Sequence, residues 1–256
     1  MSMKVTLLGT GTSGGVPQIG CTCGTCMSTD PKDKRTRCSA LIETDDTCIL
    51  IDCGPDFRQQ MLMRSFRKIQ AIFITHEHYD HVGGIDDIRP NSLFGELKIY
   101  AEDLVAKHLQ ERIPYCFTPP EKRYPGVPSI SLEHMEPHVP IKVGSLTVVP
   151  IRVMHGKLPI VGFRIGKMTY ITDMKTFPES EWDYIKGTDL LIVNALHYKH
   201  HPTHQTVDEA VAFAKRVGAK ETYFIHMSHF VLPHNEAESM LPENIHLGYD
   251  GLELEL

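Results

Sequence analysis

The chain has 256 residues, of which 41% are hydrophobic, and a formal net charge of −6 at pH 7. This length allows one large domain or two small ones, and the acidic balance argues against a surface that binds long nucleic acids. No apolar run approaches the roughly 18 residues of a membrane span, and the first residues read as a strand instead of a signal peptide. We therefore expect a soluble, cytoplasmic protein that does not act at a membrane.

The first predicted strand covers residues 3–8 and leads into a Gly-rich loop at residues 9–17. A Gly-rich loop can cradle a phosphate, but this loop lacks the Lys of a P-loop and no helix pattern follows it. The sequence therefore gives little support to nucleotide binding at this loop.

Three of the seven Cys lie within six residues, at Cys21, Cys23 and Cys26. An odd number of Cys in this arrangement is typical of metal binding or free thiols in a reducing compartment, and not of a disulfide framework. Three thiolates this close can surround one tetrahedral ion, which then needs a fourth ligand, and His229 is our candidate. The alternative is that the three are reduced, uncoordinated thiols at the surface, where thiols oxidise readily.

A predicted hairpin joins strands at residues 38–43 and 47–52 through a Thr-Asp-Asp turn. Asp52, at the end of the second strand, has two interpretations. It accepts a hydrogen bond from the N–H of a metal-binding imidazole, or it caps the helix predicted at about residues 55–64. Three further Cys are interpreted as small core residues: Cys38, Cys48 and Cys116.

The most informative stretch follows, where residues 71–75 predict a buried strand that runs directly into His76, His78, Asp80 and His81. A strand delivers its last side chains at one edge of a sheet, where the next loop can fold several of them inward. Three imidazoles and a carboxylate within six residues are donors suited to zinc, manganese or iron. The alternative is a His-rich polar turn, but ligands directly after a buried strand are the context that marks a metal site.

The second half of the chain repeats a succession of strands and helices. A helix is predicted at about residues 102–112, with Leu104, Val105 and Leu109 forming a buried stripe. Residues 114–140 are Pro-rich and irregular, and we interpret them as an insertion or hairpin on the substrate side. Further strands are predicted at 145–155, 161–166, 168–173, 189–194 and 221–226, and helices at 178–186 and 206–217. This order fits an α+β fold, a four-layer αββα sandwich, formed by a single domain over residues 1–256.

The motif His-x-His-x-Asp-His at residues 76–81 resembles the signature of the metallo-β-lactamase-fold hydrolases. That family completes its site with a distal His, a bridging Asp and a final His, and this sequence offers all three in order near predicted strand ends. The resemblance implies that the loop at residues 9–17 borders the site and that two ions are bound. The ligands that it implies are His76 and His78 for one ion, Asp80 and His81 for the other, and His155, the bridging Asp173 and His226 to complete the set.

The Cys trio is similar to that of a subgroup of this family, the PhnP-type cyclic-phosphate phosphodiesterases, and of the related cofactor-biosynthesis protein PqqB. In the phosphodiesterases such a trio and a His near the last strand hold a structural zinc ion. The resemblance therefore implies a structural Zn²⁺ at Cys21, Cys23, Cys26 and His229.

Two divalent ions about 3.5–4 Å apart lower the pKa of a shared water and generate a hydroxide nucleophile. A proton for the leaving group is then still required, and His204 is our candidate general acid, with Asp80 as the second predicted catalytic residue. His204 precedes a predicted helix, and it resembles the catalytic His of phosphodiesterases with this fold. An imidazole near its ordinary pKa can donate a proton at neutral pH. The alternative is a loop His without a role, since three neighbours compete with it: His197, His200 and His201.

We therefore predict a metal-dependent hydrolase, specifically a phosphodiesterase that cleaves a small or cyclic phosphodiester by attack of a metal hydroxide. The alternatives are a PqqB-like cofactor-biosynthesis protein and a tRNA 3′-processing type of nuclease. The acidic charge and the lack of a long basic arm argue against the nuclease. The catalytic ions are predicted to be Zn²⁺ or Mn²⁺, because availability decides between ions at such a site. The sequence leaves open whether the chain forms a homodimer.

Overall fold

The computed structural model describes residues 2–256, and in that range it contains fourteen strands and seven α-helices. The strands are β1 (Lys4–Gly9), β2 (Ser39–Glu43), β3 (Cys48–Ile51), β4 (Ala71–Phe73), β5 (Leu97–Ala101), β6 (Ile130–His134), β7 (Ile141–Val143), β8 (Leu146–His155), β9 (Leu158–Ile165), β10 (Met168–Ile171), β11 (Leu190–Asn194), β12 (Glu221–Ile225), β13 (Ile245–Leu247) and β14 (Leu252–Glu255). The helices are α1 (Gly24–Met27), α2 (Phe57–Leu62), α3 (Tyr79–Val82), α4 (Asp103–Arg112), α5 (Trp182–Ile185), α6 (Val207–Val217) and α7 (His234–Glu238).

The strands form two seven-stranded sheets, with orders β14-β1-β2-β3-β4-β5-β6 and β13-β12-β11-β10-β9-β8-β7. Each sheet is antiparallel in one half and parallel in the other. The parallel halves are β3 to β6 in the first sheet and β10 to β13 in the second. Because parallel strands need crossover connections, helices alternate with strands in these halves.

Three groups of buried apolar side chains account for the layers. The first lies between the sheets and includes Val5, Phe73 and Phe163. The second covers the outer face of the second sheet with Phe213 of α6, and the third covers the outer face of the first sheet with Val105 of α4. Sheets that are apolar on both faces require a helix layer on each outer side. The prediction of a four-layer αββα sandwich is therefore confirmed.

Helix α6 agrees closely with its predicted bounds because its end signals are strong. The Thr206 side chain accepts the backbone N–H of Glu209, and the Glu209 carboxylate accepts that of Thr206, which completes a capping box. Gly218 ends the helix with φ 68°, a left-handed conformation that Gly adopts without steric cost. This helix holds the end of the loop that carries His204.

Two expectations about the middle of the chain are wrong. Residues 114–140 are not irregular throughout, because strand β6 lies within them and extends the first sheet by pairing in parallel with β5. Leu104 is 52% exposed, whereas Val105 and Leu109 are buried. Residues four apart share one helix face, and Leu104 lies about 100° away from Val105 on the helix.

No helix within residues 2–256 combines the length and apolar character needed to cross a bilayer.

Candidate dinuclear metal centre and thiolate cluster

Six strands bring polar side chains to one edge of the two sheets. Strands β3 and β4 run in one direction, as do β8, β10, β11 and β12, so within each sheet their carboxyl ends lie at one edge. Three of the residues just beyond these strands have positive φ without being Gly: Asp52 (58°), Asp173 (56°) and His226 (55°). Such backbone strain costs about 1–3 kcal/mol per residue and concentrates at functional sites.

Four side chains meet tightly on one side of this edge. The Asp173 Oδ1 atom lies 3.2 Å from Nε2 of His81 and 3.2 Å from Nε2 of His226. The Asp80 Oδ2 atom lies 3.2 Å and 3.4 Å from the same two nitrogens. All four residues are buried, and one ligand atom from each lies within 4.8 Å of the others. This spacing is short enough for a single ion to contact all four.

Asp173 also faces a second set of imidazoles. Its Oδ2 atom lies 3.8 Å from Nε2 of His76, and one ligand atom each of His76, His78 and Asp173 lies within 4.8 Å of the others. His155 and His204 form a third such group with Asp173. Asp173 therefore turns its two oxygens towards different groups of ligands, as a bridging carboxylate must. We call the seven predicted ligands together the His/Asp centre: His76, His78, Asp80, His81, His155, Asp173 and His226.

Neighbouring hydrogen bonds fix the orientation of these imidazoles. Nδ1 of His81 lies 2.7 Å from Oδ2 of the buried Asp52, and Nδ1 of His155 donates to the backbone carbonyl of Asp173 at 2.7 Å. Nδ1 is therefore occupied in both rings, and Nε2 of His81 points to the centre. Asp52 accepts from His81 and does not cap helix α2, whose N-cap position is Asp56.

The loop around Asp80 and His81 depends on a close backbone approach. The backbone N–H of Cys53 donates to the carbonyl of His81 at 2.7 Å. A Cβ atom added at Gly54 would lie 2.2 Å from the carbonyl oxygen of Asp80, which no side chain tolerates. Gly54 therefore allows helix α3, which carries both ligands, to pack against the end of β3.

The charge and hydrogen bonding of the His/Asp centre fit divalent cations. Nε2 of His76 is buried and has no hydrogen-bond partner among the described residues. Leaving such a nitrogen unpaired costs about 1–3 kcal/mol, and metal coordination removes that cost. Burial holds the pKa of His76 well below its ordinary value, so its imidazole is neutral, the form that binds metals.

The carboxylates of the centre are ionised in the same surroundings. Burial disfavours the charge on Asp173, but His226 and His81 outweigh it and hold the Asp173 pKa well below its usual range. Burial likewise disfavours a charge on His81, yet Asp173, Asp52 and Asp80 raise the pKa of His81 well above its ordinary value. Asp173 and Asp80 are therefore ionised, and a divalent ion would supply the positive charge that they attract.

A second cluster lies nearer the surface and consists of Cys21, Cys23, Cys26 and His229, which we call the Cys cluster. The Sγ atoms of Cys21 and Cys23 lie 3.1 Å and 3.5 Å from Nδ1 of His229. The four ligand atoms lie within 4.8 Å of one another, and all three Cys are free of disulfides. The backbone N–H of Cys26 lowers the pKa of the Cys23 thiol to about 6. Three sulfurs and one imidazole nitrogen at this spacing fit a tetrahedral Zn²⁺ site.

Of the four His in the loop after β11, the structure brings His204 to the centre. Its ring centroid lies 4.6 Å from that of His155 and 4.9 Å from that of His226. His204 is buried, and burial lowers its pKa to about 3. Its Nδ1 atom has no hydrogen-bond partner among the described residues and lies 3.9 Å from Oδ2 of Asp173. The adjacent ring is that of His201, at 5.0 Å, and His200 is exposed.

Several residues that support the centre were missed by reasoning from the sequence. Thr75 donates its backbone N–H to Asp52 Oδ1 at 2.8 Å, and its hydroxyl lies 3.0 Å from Nδ1 of His76. Thr172 donates to Oδ1 of Asp173 at 2.7 Å. Each Thr directly precedes a ligand at a strand end, and that position is the signal that identifies them. Asn194, which bonds to both backbone groups of Met174, has only its place at the end of β11 as a signal.

Comparison with known proteins places these observations in a family. Residues 47–227 match the model of the beta-lactamase superfamily domain. A protein of Porphyromonas gingivalis named octanoyltransferase is 47% identical over 98% of this chain. The match covers 51% of the P. gingivalis protein, so the chain spans about half of that relative's length.

Two solved structures are similar over nearly their whole length. A crystal structure of a diphosphatase from the PhnP family is 39% identical, with a TM-score of 0.93, and the match covers 100% of this chain and 98% of the other. Zn²⁺-bound PqqB from Methylobacterium extorquens is 20% identical, with a TM-score of 0.82 and coverage of 99% and 100%. At 20% identity the likeness to PqqB concerns the fold alone.

Proposed function

The chain belongs to the beta-lactamase superfamily and has the metallo-β-lactamase fold, and we propose that it is a dinuclear-metal phosphodiesterase acting on a small or cyclic phosphodiester. One observation carries the proposal. The two oxygens of Asp173 face different groups of imidazoles, at 3.2 Å from His81 and His226 and at 3.8 Å from His76. A single carboxylate between two such groups is the arrangement that two neighbouring ions require.

In this proposal the residues of the centre hold two ions. His76, His78 and His155 hold one ion, Asp80, His81 and His226 hold the other, and Asp173 joins the two groups. Two divalent ions held in this way would lower the pKa of a shared water and polarise a phosphoryl oxygen. Asp52 and the backbone carbonyl of Asp173 keep the rings of His81 and His155 turned to the centre. Asp80 acts both as a ligand and as a neighbour of the reacting water.

His204 is proposed as the group that protonates the leaving oxygen. Burial holds its pKa near 3, so the imidazole is neutral at pH 7 and the expectation of an ordinary pKa is wrong. A phosphodiester anion beside the ring would favour the protonated form. A poor leaving group depends most on such a proton donor.

The identity of the substrate class is supported by the PhnP-family neighbour. That protein, 39% identical over this whole chain, is named a diphosphatase. A diphosphate and a phosphodiester both present an anionic phosphorus with an oxygen leaving group. We therefore propose a small substrate of this kind, with Zn²⁺ or Mn²⁺ in the His/Asp centre and Zn²⁺ in the Cys cluster.

Hydrolysis of bis(p-nitrophenyl) phosphate by protein loaded with Zn²⁺ or Mn²⁺ tests the proposal. We expect turnover that a chelator abolishes and added metal restores. A diester of diphosphate is assayed in parallel, because the PhnP-family neighbour is a diphosphatase. Metal-loaded protein that hydrolyses neither compound would contradict the proposal and favour a PqqB-like role in cofactor biosynthesis.

A second candidate is hydrolysis of an octanoyl ester or thioester. It is favoured by the 47% identity to the P. gingivalis protein named octanoyltransferase, although this chain matches only about half of that protein. Ions in the same centre could polarise an acyl carbonyl oxygen. Octanoyl thioester hydrolysis at a higher kcat/KM than any phosphodiester or diphosphate ester would replace the first proposal with this one.

A further inference from the structure

The ring of His226 is held differently from the other buried imidazoles of the His/Asp centre. Those of His76, His81 and His155 each have a hydrogen-bond partner at Nδ1 within 3.0 Å. Nδ1 of His226 is buried and has no hydrogen-bond partner among the described residues. Because no such bond orients the ring, the direction of its Nε2 atom depends on the backbone of His226.

That backbone has a conformation that its surroundings must maintain. The φ angle of His226 is 55°, in the left-handed region that residues other than Gly rarely adopt. Its backbone N–H donates to Sγ of Cys38 at 3.1 Å. The next residue, Met227, donates its N–H to the carbonyl of Thr10 at 3.0 Å, and its carbonyl accepts the N–H of Thr12 at 3.0 Å. The Gly-rich loop after β1 therefore holds the residue that follows the ligand.

Two glycines let this loop approach its neighbours closely. A Cβ atom added at Gly9 would lie 2.0 Å from the carbonyl oxygen of Arg37, and one added at Gly11 would lie 2.8 Å from that of Arg35. No side chain tolerates such distances, so only Gly allows the loop to lie against the segment before β2. The glycines of this loop therefore serve the packing beside His226.

Asp250, in the turn between β13 and β14, fixes Thr10 in this place. Its Oδ1 atom accepts the backbone N–H of Thr10 at 2.9 Å and the Thr10 hydroxyl at 2.8 Å. Its Oδ2 atom accepts the same two groups of Thr36, both at 2.6 Å. The buried Arg35 donates to the Thr10 hydroxyl oxygen at 2.9 Å. Four donors on one carboxylate stabilise its ionised form, and such charge-assisted bonds are about twice as strong as those between neutral groups.

We propose that Asp250 is a positioning residue for the ligand His226. Through Thr10 and Met227 it maintains the left-handed backbone that places Nε2 of His226 at 3.2 Å from Asp173. The inference rests on the proposed function, in which His226 helps to hold one of two ions. The affinity for that ion then depends on a carboxylate outside the centre, whereas the affinity for the other ion does not.

The test is a metal titration of Asp250→Asn. The amide keeps the size of the side chain, but its nitrogen cannot accept the donors that an oxygen of Asp250 binds. Protein with zinc in the Cys cluster, from which the ions of the His/Asp centre have been removed, is titrated with Co²⁺, whose visible spectrum reports its ligands. We expect the affinity for one ion to fall by about 10- to 100-fold and the affinity for the other to stay unchanged.

A double variant identifies the ion that is affected. If Asp250 acts through His226, its loss has no effect on metal binding once the imidazole is absent, because the effects of coupled residues do not add. Asp250→Asn combined with His226→Ala should therefore bind Co²⁺ as weakly as His226→Ala alone. A further loss of affinity in the double variant would overturn the inference.

The matched control is Asp46→Asn. The Asp46 carboxylate also accepts several hydroxyls, those of Thr44, Thr47 and Ser145, but it lies at the start of β3, at the edge opposite the centre. Both variants should lower the melting temperature, and only Asp250→Asn should change metal affinity. Unchanged affinity for both ions in Asp250→Asn, or an equal loss for both, would mean that Asp250 only stabilises the fold, and would overturn the inference.

A milder pair of variants serves if Asp250→Asn does not fold. Thr10→Val removes a hydroxyl that Asp250 accepts and should weaken binding of the same ion by a smaller factor. Thr10→Ser keeps the hydroxyl and should bind both ions as the wild-type protein does. Equal metal affinities of these two variants would overturn the inference.

These measurements do not depend on turnover, so they separate the inference from the proposed hydrolysis. If no phosphodiester is hydrolysed but Asp250→Asn binds one ion more weakly, the proposed function fails and the role of Asp250 stands. If phosphodiesters are hydrolysed but Asp250→Asn binds both ions as the wild-type protein does, the role of Asp250 fails and the proposed function stands.

Discussion

The His/Asp centre and the Cys cluster are both groups of metal-ligating side chains, but the chain assembles them in different ways. The His/Asp centre draws its residues from position 76 to position 226 and places nearly all of them in the buried interior, at the ends of several strands. The Cys cluster takes three ligands from six consecutive residues and only His229 from elsewhere, and it lies near the surface. One site depends on the whole fold, whereas the other is mainly a property of one short segment.

The two clusters also differ in what they contribute to the protein. The His/Asp centre contains strained backbone, unpaired buried nitrogens and ionised carboxylates. These features are typical of a functional site that binds ions, and they do not stabilise the fold. The Cys cluster joins the segment at residues 21–27 to the loop after β12 across a long sequence separation. We therefore expect changes in the His/Asp centre to act on turnover and changes in the Cys cluster to act on folding.

The largest expected effect is that of Asp173→Ala. It removes the carboxylate that faces both groups of imidazoles, so turnover should fall below detection and much of the catalytic metal should be lost. Elemental analysis and hydrolysis of bis(p-nitrophenyl) phosphate measure the two quantities. Asp183→Ala, at an exposed Asp that pairs with Lys186, is the control. Full activity with two catalytic ions still bound would contradict the assignment of Asp173 as the bridge.

The second-largest effect tests the role of His204 beside the His/Asp centre. His204→Ala should reduce hydrolysis of alkyl phosphodiesters by about 10²–10⁴-fold, the usual contribution of a general acid. It should affect p-nitrophenyl esters far less, because p-nitrophenolate leaves almost without a proton. Metal content should be unchanged, and the exposed His200 in the same loop provides the control variant His200→Ala.

Two other results for His204→Ala would contradict this prediction. Loss of one metal equivalent would make His204 a ligand, since His155, Asp173 and His204 already form a group with ligand spacing. Equal loss on both kinds of ester with the metals retained would mean that His204 positions the phosphate and does not protonate the leaving group.

A smaller effect is expected from a residue that touches the centre only through His81. Asp52→Asn keeps the shape of the side chain but removes the negative charge 2.7 Å from Nδ1 of His81. Loss of such a partner typically lowers metal affinity or activity by about 10- to 100-fold. Metal titration of this variant beside Asp45→Asn, at an exposed turn, measures the difference. Unchanged affinity would mean that packing alone orients His81.

The smallest effect on turnover, and the largest contrast between the two clusters, is expected from Cys23→Ser. It should remove one zinc equivalent and lower the melting temperature, by about 2–4 °C for each kcal/mol lost in a protein of this size. Turnover per folded molecule should decline less than in any variant above. Thr22→Ala, at the exposed neighbouring position, is the control. Unchanged zinc content would mean that the three Cys are free thiols.

The fold could be predicted from the sequence to the extent that its signals are local. Thr206 and Gly218 mark the ends of α6, and the hairpin at residues 38–52 appears as expected. The strand within residues 114–140 was missed because β6 is short and lies between Pro-rich segments. Its strand character comes from pairing with β5, a long-range interaction that periodicity does not report.

The sequence by itself determined which side chains the site has available. The motif at residues 76–81 and the later His155, Asp173 and His226 each follow an apolar stretch, and side chains at strand ends can meet at one edge of a sheet. Three neighbouring thiols likewise predicted a cluster that needed a fourth partner. These conclusions required only local sequence and the chemistry of the donor atoms.

The tertiary structure alone decided how these side chains meet. It turned the two oxygens of Asp173 to different imidazoles, set Asp52 on His81, and chose His204 from four His in one loop. Distances between side chains from remote segments depend on the packing of both sheets, and a pattern along one chain does not contain that packing.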